Sequence, residues 1–569
     1  MNFRNLINFK NFTTITFLII VFVAAILRLW QLGSIPPSPD WDEAALGYDA
    51  YSIATTGRDE FGKFLPPVLR SFDDYKPALY AYLAIPTVMT IGLNTFAVRL
   101  PSAIAGIIAV VAVYFIVQEL LADPRDDSKR NEQKIKYIGL AASGLLAISP
   151  WSIQFSRVAF ESNVGVLFNM LVVLFFLKGL KTNWLLYLSI IFAGLNIYVY
   201  QSEKVYTPLL FFILVIIYFK QLIKIPKIKL IGPVILGLIV VFPMVFNIFT
   251  DSGSLLRLRG TSIFTYQTEV LGNSAQKFER DKNNHDLIGE VLDNRRLVYA
   301  KTIVDGYLSH FNPNWLFITG DISRHHAPNM GLLYLFELPL ILSGIYVLIF
   351  SKYDKKTKIF IFLWYLIAAV PASITTGVPH AVRTLNFIPL YQIFGAIGFI
   401  SLLMWANENK SKLVGIKIGK VLILLYILFA IFNVAYYLNQ YFVQLNYYDS
   451  ADWQYGYKQA VDEVNSVGSN YNKIIVSDKQ PLDKSYMFFL FYTKYPAAQY
   501  QKEGGAGSGS FDSHHSFGKF QFRPINWDTD SKLQKTLFIG TPDEIPNNAS
   551  VIKTIYNLNG TPAIKIAGT

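Results

Sequence analysis

Apolar residues in this chain fall into runs of roughly 17 to 25, the length a helix needs to cross a bilayer, with short polar connections between them. The pattern predicts eleven spans, at about 13–31, 98–120, 137–151, 162–178, 184–200, 205–219, 231–249, 331–350, 359–375, 384–405 and 421–438. Ala78 to Leu93 is apolar too, but it is short and contains Pro86. It is expected as a helix in or near the membrane interface. The pattern changes after about residue 440. Apolar runs shorten to strand length, as in Lys473 to Ser477 and Thr536 to Gly540, and Gly504 to Ser510 is a Gly/Ser loop. The expected architecture is a polytopic α-helical membrane protein, residues 1–439, followed by a small α/β domain, residues 440–569. No internal repeat or coiled coil is visible.

Charge placement sets the expected orientation. Arg125, Lys129, Arg130, Lys134 and Lys136 fall in one short connection, and Lys178 and Lys181 in another. Lys220 to Lys229, Lys352 to Lys358 and Lys410 to Lys420 form three more basic groups. With eleven spans and Ala78–Leu93 left out, all five lie on the side of Arg4 and Lys10, which the positive-inside rule makes cytoplasmic. The first loop (32–97), the long loop 250–330, the turns near 154–161, 201–204 and 375–383, and the C-terminal domain then face outside. A plasma-membrane protein with one outward-facing site is the economical reading.

Composition narrows the choice. The chain has 569 residues, of which 52% are hydrophobic and 16% charged, and its mean hydropathy is +0.34. The first apolar run shows no small-residue cleavage site and is expected to remain as a span. Cysteine is absent, which excludes disulfides, thiol catalysis and thiolate metal sites. The net charge of +12 is accounted for by the loops and does not imply nucleic-acid binding. No phosphate-binding loop, dinucleotide fingerprint or nucleophile elbow is present, and no nucleotide or redox cofactor is expected.

The chemistry-bearing residues crowd the expected outer face. Ser38 to Asp49 holds adjacent carboxylates, Asp42 and Glu43, in a long loop rich in aromatic and charged residues. A partly desolvated carboxylate there suits general-base catalysis on a hydroxyl, although adjacent surface acids are common. Asp73, Asp74, Tyr75, Lys76 and Pro77 precede the interfacial helix. Lys76 could hold a lipid phosphate or simply snorkel and pair with a neighbouring acid. Arg157 and Glu161 lie four apart where the fourth span begins, a spacing that on a helix gives one face and a default salt bridge. Gln201, Glu203 and Lys204 follow the fifth span. His380 and Arg383 open the tenth, with Arg383 suited to a bidentate phosphate contact. His325 and His326 are adjacent and point in different directions, so with His310 and His380 they make a weak chelating pattern. His514 and His515 are expected to be solvated.

The order of these motifs resembles a known family. An Asp-Glu pair after the first span is followed by Tyr75-Lys76-Pro77, then by Phe96-Ala97-Val98-Arg99-Leu100-Pro101-Ser102 opening the second span, then by Arg157 and Glu161. Over about residues 13–440 this is similar to the type C glycosyltransferases, most closely the protein O-mannosyltransferase-like family (glycosyltransferase family 39) and the related lipid A aminoarabinose transferases. The resemblance implies an inverting enzyme that moves a sugar from a polyprenyl-phosphate carrier to an extracytoplasmic protein, lipid or glycan acceptor. It implies Asp42 as general base with Glu43 beside it, Glu161 as a second acid, and Lys76, Arg157 and Arg383 around the donor phosphate. Tyr75, Asp74, Lys204 and His380 are candidates for substrate contact. A divalent ion is not required and is left open. The chain departs from the aminoarabinose branch at Ala45, where that branch has arginine, and at Tyr75, where it has an acid. These departures weigh against lipid A or aminoarabinose specificity and against that branch's metal site. The rival reading is a transporter or flippase of a lipid-linked sugar, which would place ionisable groups near the midplane of repeated halves. A sensor would not need so many spans.

Overall fold

A computed structural model describes residues 9–72, 74–122, 128–250, 260–265, 269–408, 412–413, 416–503 and 515–569. Asp73, His514, Gly504 to Ser510, Arg4, Arg125 and Lys410 lie outside the described residues.

Each of the eleven predicted segments contains helix. Among the described residues seven helices are long and apolar enough to cross a membrane: Phe12–Leu29, Thr95–Leu121, Glu161–Gly179, Lys227–Thr250, Lys355–Ser373, Leu385–Ala406 and Val421–Asp449. A bent pair, Asn131–Ile148 with Pro150–Ser156, makes an eighth. Leu185–Asn196, Glu203–Ile217 and Glu337–Phe350 are shorter. The chain is therefore a multi-span membrane protein. The predicted 331–350 span starts as helix only at Glu337.

Two departures from regular helix shape the site. Pro150 cannot donate to the preceding turn, so Ser149 leaves the helical region and the chain bends by 58°. The helix stops again after Ser156, and Glu161 opens a new one. Arg157 and Glu161 therefore do not share one helical face, contrary to the i,i+4 expectation. Elsewhere the helices pack closely through glycine. A Cβ on Gly344 would lie 1.8 Å from the Phe394 carbonyl oxygen, and one on Gly398 2.0 Å from that of Leu340. Such small-residue contacts let membrane helices touch backbone to backbone. Phe242, Phe249, Leu424 and Phe432 point outward and suit a lipid surround.

The first loop is ordered. Asp40 caps the helix Trp41–Thr56 by accepting from the Glu43 N–H, and Glu43 accepts in return from the Asp40 N–H. Gly57 ends it in the left-handed region, at φ 71°. A hairpin follows, Val68–Ser71 against Asp74–Pro77, with Leu69 opposite Lys76. Leu79–Ile91 is helical with Pro86 inside, as expected.

The C-terminal region forms a six-stranded sheet. Its order is Ser516–Phe517, Phe520–Phe522, Lys473–Val476, Thr536–Gly540, Pro562–Gly568, Val551–Tyr556. The two strands read from sequence are parallel neighbours. Helices Ser485–Thr493 and Ala497–Glu503 press this region onto the first loop. Tyr48 donates to the Tyr495 carbonyl at 3.0 Å, and Gln501 donates to Ser52 at 3.1 Å and to the Asp59 carbonyl at 2.9 Å.

Candidate active site

The capped helix and the hairpin bring Asp42 and Lys76 together. Asp42 sits in the first helical turn, where the helix dipole favours an anion. Alternation in the strand puts Lys76 on one face with Asp74 and turns Tyr75 to the other. Lys76 donates from Nζ to Asp42 Oδ1. The pair is lopsided: the Lys76 side chain is 6% exposed and that of Asp42 35%. Asp42 is thus the reachable member and Lys76 a nearly enclosed cation behind it.

Glu43 faces elsewhere. Its Oε1 accepts from Arg99 Nε at 2.8 Å and from the Ala159 N–H at 2.7 Å. Its Oε2 accepts from Arg99 Nη2 at 2.9 Å and from the Asp40 N–H at 3.1 Å. Arg99 also donates to the carbonyls of Leu32, Pro36 and Ser38. Both side chains are buried. A carboxylate so enclosed is suited to holding the loop in place rather than to taking a proton.

The other sequence candidates divide. Arg157 is buried, donates to the Leu27 and Ile35 carbonyls at 2.9 and 3.0 Å, and stacks on Tyr441 and Phe442. It pins the end of the first span. Glu161 is buried at the start of its helix. The Tyr75 carbonyl accepts from Gln201 Nε2 at 2.9 Å, which ties the hairpin to the fifth-span turn. Asp74 caps its own strand by accepting from the Tyr75 N–H at 2.8 Å, and Lys204 is half-buried in the first turn of its helix. Glu203 is enclosed by Asn169 and Asn386, which donate to it at 2.6 and 2.7 Å. Arg383 donates to Thr375 Oγ1 at 2.7 Å and to the Thr376 carbonyl at 2.6 Å.

Two cations near Asp42, Arg324 and Lys484, carried no sequence signal. Trp41 lies against two cations, Arg324 at 4.2 Å from the long loop and Lys484 at 4.0 Å from the C-terminal region. Arg324 also donates to Asp40 Oδ2 at 3.1 Å. Burial, with Asp42 and Glu43 nearby, raises the Asp40 carboxyl to about 7 despite Arg324. Deeper in the first loop, burial raises Asp49 and Glu60 well above the usual range. Asp49 accepts from the Glu60 N–H at 3.1 Å, and neither Glu60 oxygen has a hydrogen-bond partner among the described residues.

Behind Arg324 lies a histidine group. His325 Nδ1 lies 2.9 Å from Asp321 Oδ2, which also accepts from the Ala381 N–H at 2.6 Å. The His325 and His380 rings are 5.2 Å apart. His310 accepts from the His380 N–H at 3.1 Å. His326 turns away to the carbonyls of Asp321 and Ala327, as expected for adjacent histidines. His515 stacks on Tyr486, with 3.9 Å between ring centroids, rather than lying free in solvent.

Residues 75–246 match the family model described as dolichyl-phosphate-mannose-protein mannosyltransferase. The resemblance to the type C glycosyltransferases holds. The matched segment includes Lys76, Arg99, Arg157 and Glu161, and Asp42 lies upstream of it. ArnT from Cupriavidus metallidurans in the apo state shares the fold, with a TM-score of 0.53 and 10% identity over 97% of both chains. The same protein bound to undecaprenyl phosphate aligns over 98% of both chains, with a TM-score of 0.51 and 11% identity. The oligosaccharyltransferase AglB from Archaeoglobus fulgidus, in complex with an inhibitory peptide and a dolichol-phosphate, aligns at a TM-score of 0.48 and 10% identity, over 94% of this chain and 70% of its own. No curated protein sequence matches the chain.

Proposed function

We propose that this protein transfers a sugar from a polyprenyl-phosphate carrier to an acceptor hydroxyl, with inversion, at the extracytoplasmic face of the plasma membrane. The observation that carries the reading is the pairing of reachable Asp42 with enclosed Lys76 at the mouth of a membrane bundle. Asp42 takes the acceptor proton as its oxygen attacks the sugar carbon. The bond from that carbon to the phosphate oxygen breaks, and the carrier phosphate leaves. The sugar carbon passes through an oxocarbenium-like state. Lys76, released from Asp42 by the incoming donor, stabilises the developing phosphate charge, an electrostatic role suited to a pre-placed cation.

In this reading Glu43, Arg99 and Arg157 position the first loop and do not touch the sugar. Glu161 and Arg383 remain candidates at the edge of the donor site. The carrier chain needs an apolar groove. One of about 620 Å³, lined by Leu145, Ile148, Phe336, Ala430, Val434 and Leu438 among others, lies between the helices of the bundle. The C-terminal region beyond about 440, which reaches Trp41 through Lys484, handles the acceptor. The orientation rests on the lysine-rich loops.

The test is transfer of labelled sugar from a panel of synthetic polyprenyl-phosphate sugars to membrane extract by purified protein, beside Asp42→Asn and Lys76→Ala. Activity that collapses in both variants supports the reading, and the labelled product names the acceptor. Carrier binding and vesicle flipping without any transfer would instead make the protein a transporter.

A further inference from the structure

Asp321, His325 and His380 each offer one ligand atom, and the three atoms lie within 4.8 Å of one another. They come from two separate loops, the segment after the Arg295–Ser309 helix and the turn before Leu385. A buried histidine is ordinarily accounted for by hydrogen bonds, and His310 illustrates this. Its Nδ1 lies 2.7 Å from the Gly306 carbonyl, and its Nε2 accepts from the His380 N–H. His380 differs. Its Nδ1 is buried and has no hydrogen-bond partner among the described residues. An orphaned ring nitrogen beside a carboxylate and a second imidazole is the donor set of a divalent transition ion.

We propose that Asp321, His325 and His380 bind one Zn²⁺ ion, which clamps the 321–326 segment to the 374–384 turn. Two imidazoles and a carboxylate, with no thiolate, are a donor set that zinc takes, and one that other imidazole-binding divalent ions such as Fe²⁺ also accept. Ligand atoms about 2.0–2.2 Å from a tetrahedral zinc stand about 3.4 Å apart, so small side-chain rotations close the group. The surroundings already orient it. Asp321 Oδ1 accepts from the Ile322 N–H at 2.9 Å, and Oδ2 accepts from the Ala381 N–H of the opposite loop. Hydrogen bonds of this kind hold metal ligands in register. Phe155 and Phe160 pack against the His325 ring, each at 5.7 Å, and shield it.

The clamp has a consequence for the neighbouring site. Arg324 is adjacent to His325 in sequence, pairs with Asp40 and lies on Trp41. Fixing His325 therefore fixes the cation next to Asp42. The ion is a positioning element and stands apart from the bond-breaking step.

Full-length protein in detergent, stripped with chelator and dialysed against micromolar ZnCl₂, tests the site by metal content and by melting temperature. About one zinc per chain is expected in wild type, with a rise in melting temperature on zinc addition. His380→Gln and Asp321→Asn are expected to lose both effects, and His514→Ala with His515→Ala to lose neither. Because His380→Gln or Asp321→Asn could disturb folding, Co²⁺ is added to wild type alone, and visible d–d bands of an N/O site are expected. Wild type that takes up no zinc and gives no cobalt spectrum overturns the proposal. Equal zinc in wild type and in a folded His380→Gln variant does the same. Zinc binding without sugar transfer would leave this site standing and remove the transferase reading instead.

Discussion

Arg99 places all five of its N–H donors on acceptors, two of them on the carboxylate of Glu43. The other three go to backbone carbonyls in the chain that leads from the first span to the Trp41–Thr56 helix. Removing one member of a buried ion pair leaves an uncompensated charge and typically costs about 3–5 kcal/mol. Arg99→Leu and Glu43→Gln should each lose that order of stability, read as lower melting temperature and lower yield in detergent. Arg99→Lys should not restore it, because a lysine offers three donors from one point and cannot grip Glu43 with two parallel bonds. Wild-type melting of Arg99→Lys would overturn the account.

Asp42 and Lys76 make different demands on the kinetics. A general base contributes about 10²–10⁴-fold, so Asp42→Asn should lower kcat by that factor with little change in KM for the donor. Lys76→Ala should lower kcat and raise KM for the donor together, since the lysine meets the phosphate before and during bond breaking. The two touch, so their effects should not add. An additive double variant would mean that the ion pair is incidental to transfer.

How far sequence reaches is decided by distance along the chain. Asp42 and Lys76 each stand in a dense local motif, and hydrophobic run length picks out the seven helices that are long enough to span among the described residues, though not the count of eleven. The cap at Glu43 has a local signature, Asp40 followed three residues later by Glu43, which the reading of Asp42 and Glu43 as a catalytic pair passes over. What is not legible is convergence. Arg324 lies 284 residues from Asp40, and Asp321 lies 60 from Ala381. No local pattern announces either contact. The misplacement of Arg157 and Glu161 has another source. Periodicity presumes a continuous helix, and the breaks after Ile148 and Ser156 remove it.

Glu60 gives a pH signature. Burial, with Asp49 and Asp59 nearby, raises its carboxyl well above the ordinary value of 4.5. A group raised on folding contributes stability that is fully present below its unfolded pKa and is lost as pH rises through the folded one. The Glu60 contribution to melting temperature should therefore shrink as pH rises from about 4.5. Glu60→Gln keeps the shape without the titration. Its advantage over wild type should be absent at low pH and grow toward alkaline pH. Parallel melting curves for the two proteins across that range would show that Glu60 does not ionise at cost to the fold.

Lys484 tests whether the C-terminal region belongs to the site. It reaches Trp41 at 4.0 Å while Arg324 lies 4.2 Å from the same ring, next to the proposed base. Cation–π contacts contribute about 0.5–2 kcal/mol depending on how dry they are. Loss of one should lower kcat/KM by about 2- to 30-fold, given 1.36 kcal/mol per tenfold. Lys484→Ala should fall by up to that factor with a small drop in melting temperature as well, and Lys484→Arg should recover most of both, since guanidinium also lies well on indole. Trp41→Ala removes both partners and should fall further than Lys484→Ala. If Lys484→Ala transfers sugar at the wild-type rate, the sheet region only rests on the first loop, and acceptor selection must come from the membrane portion alone.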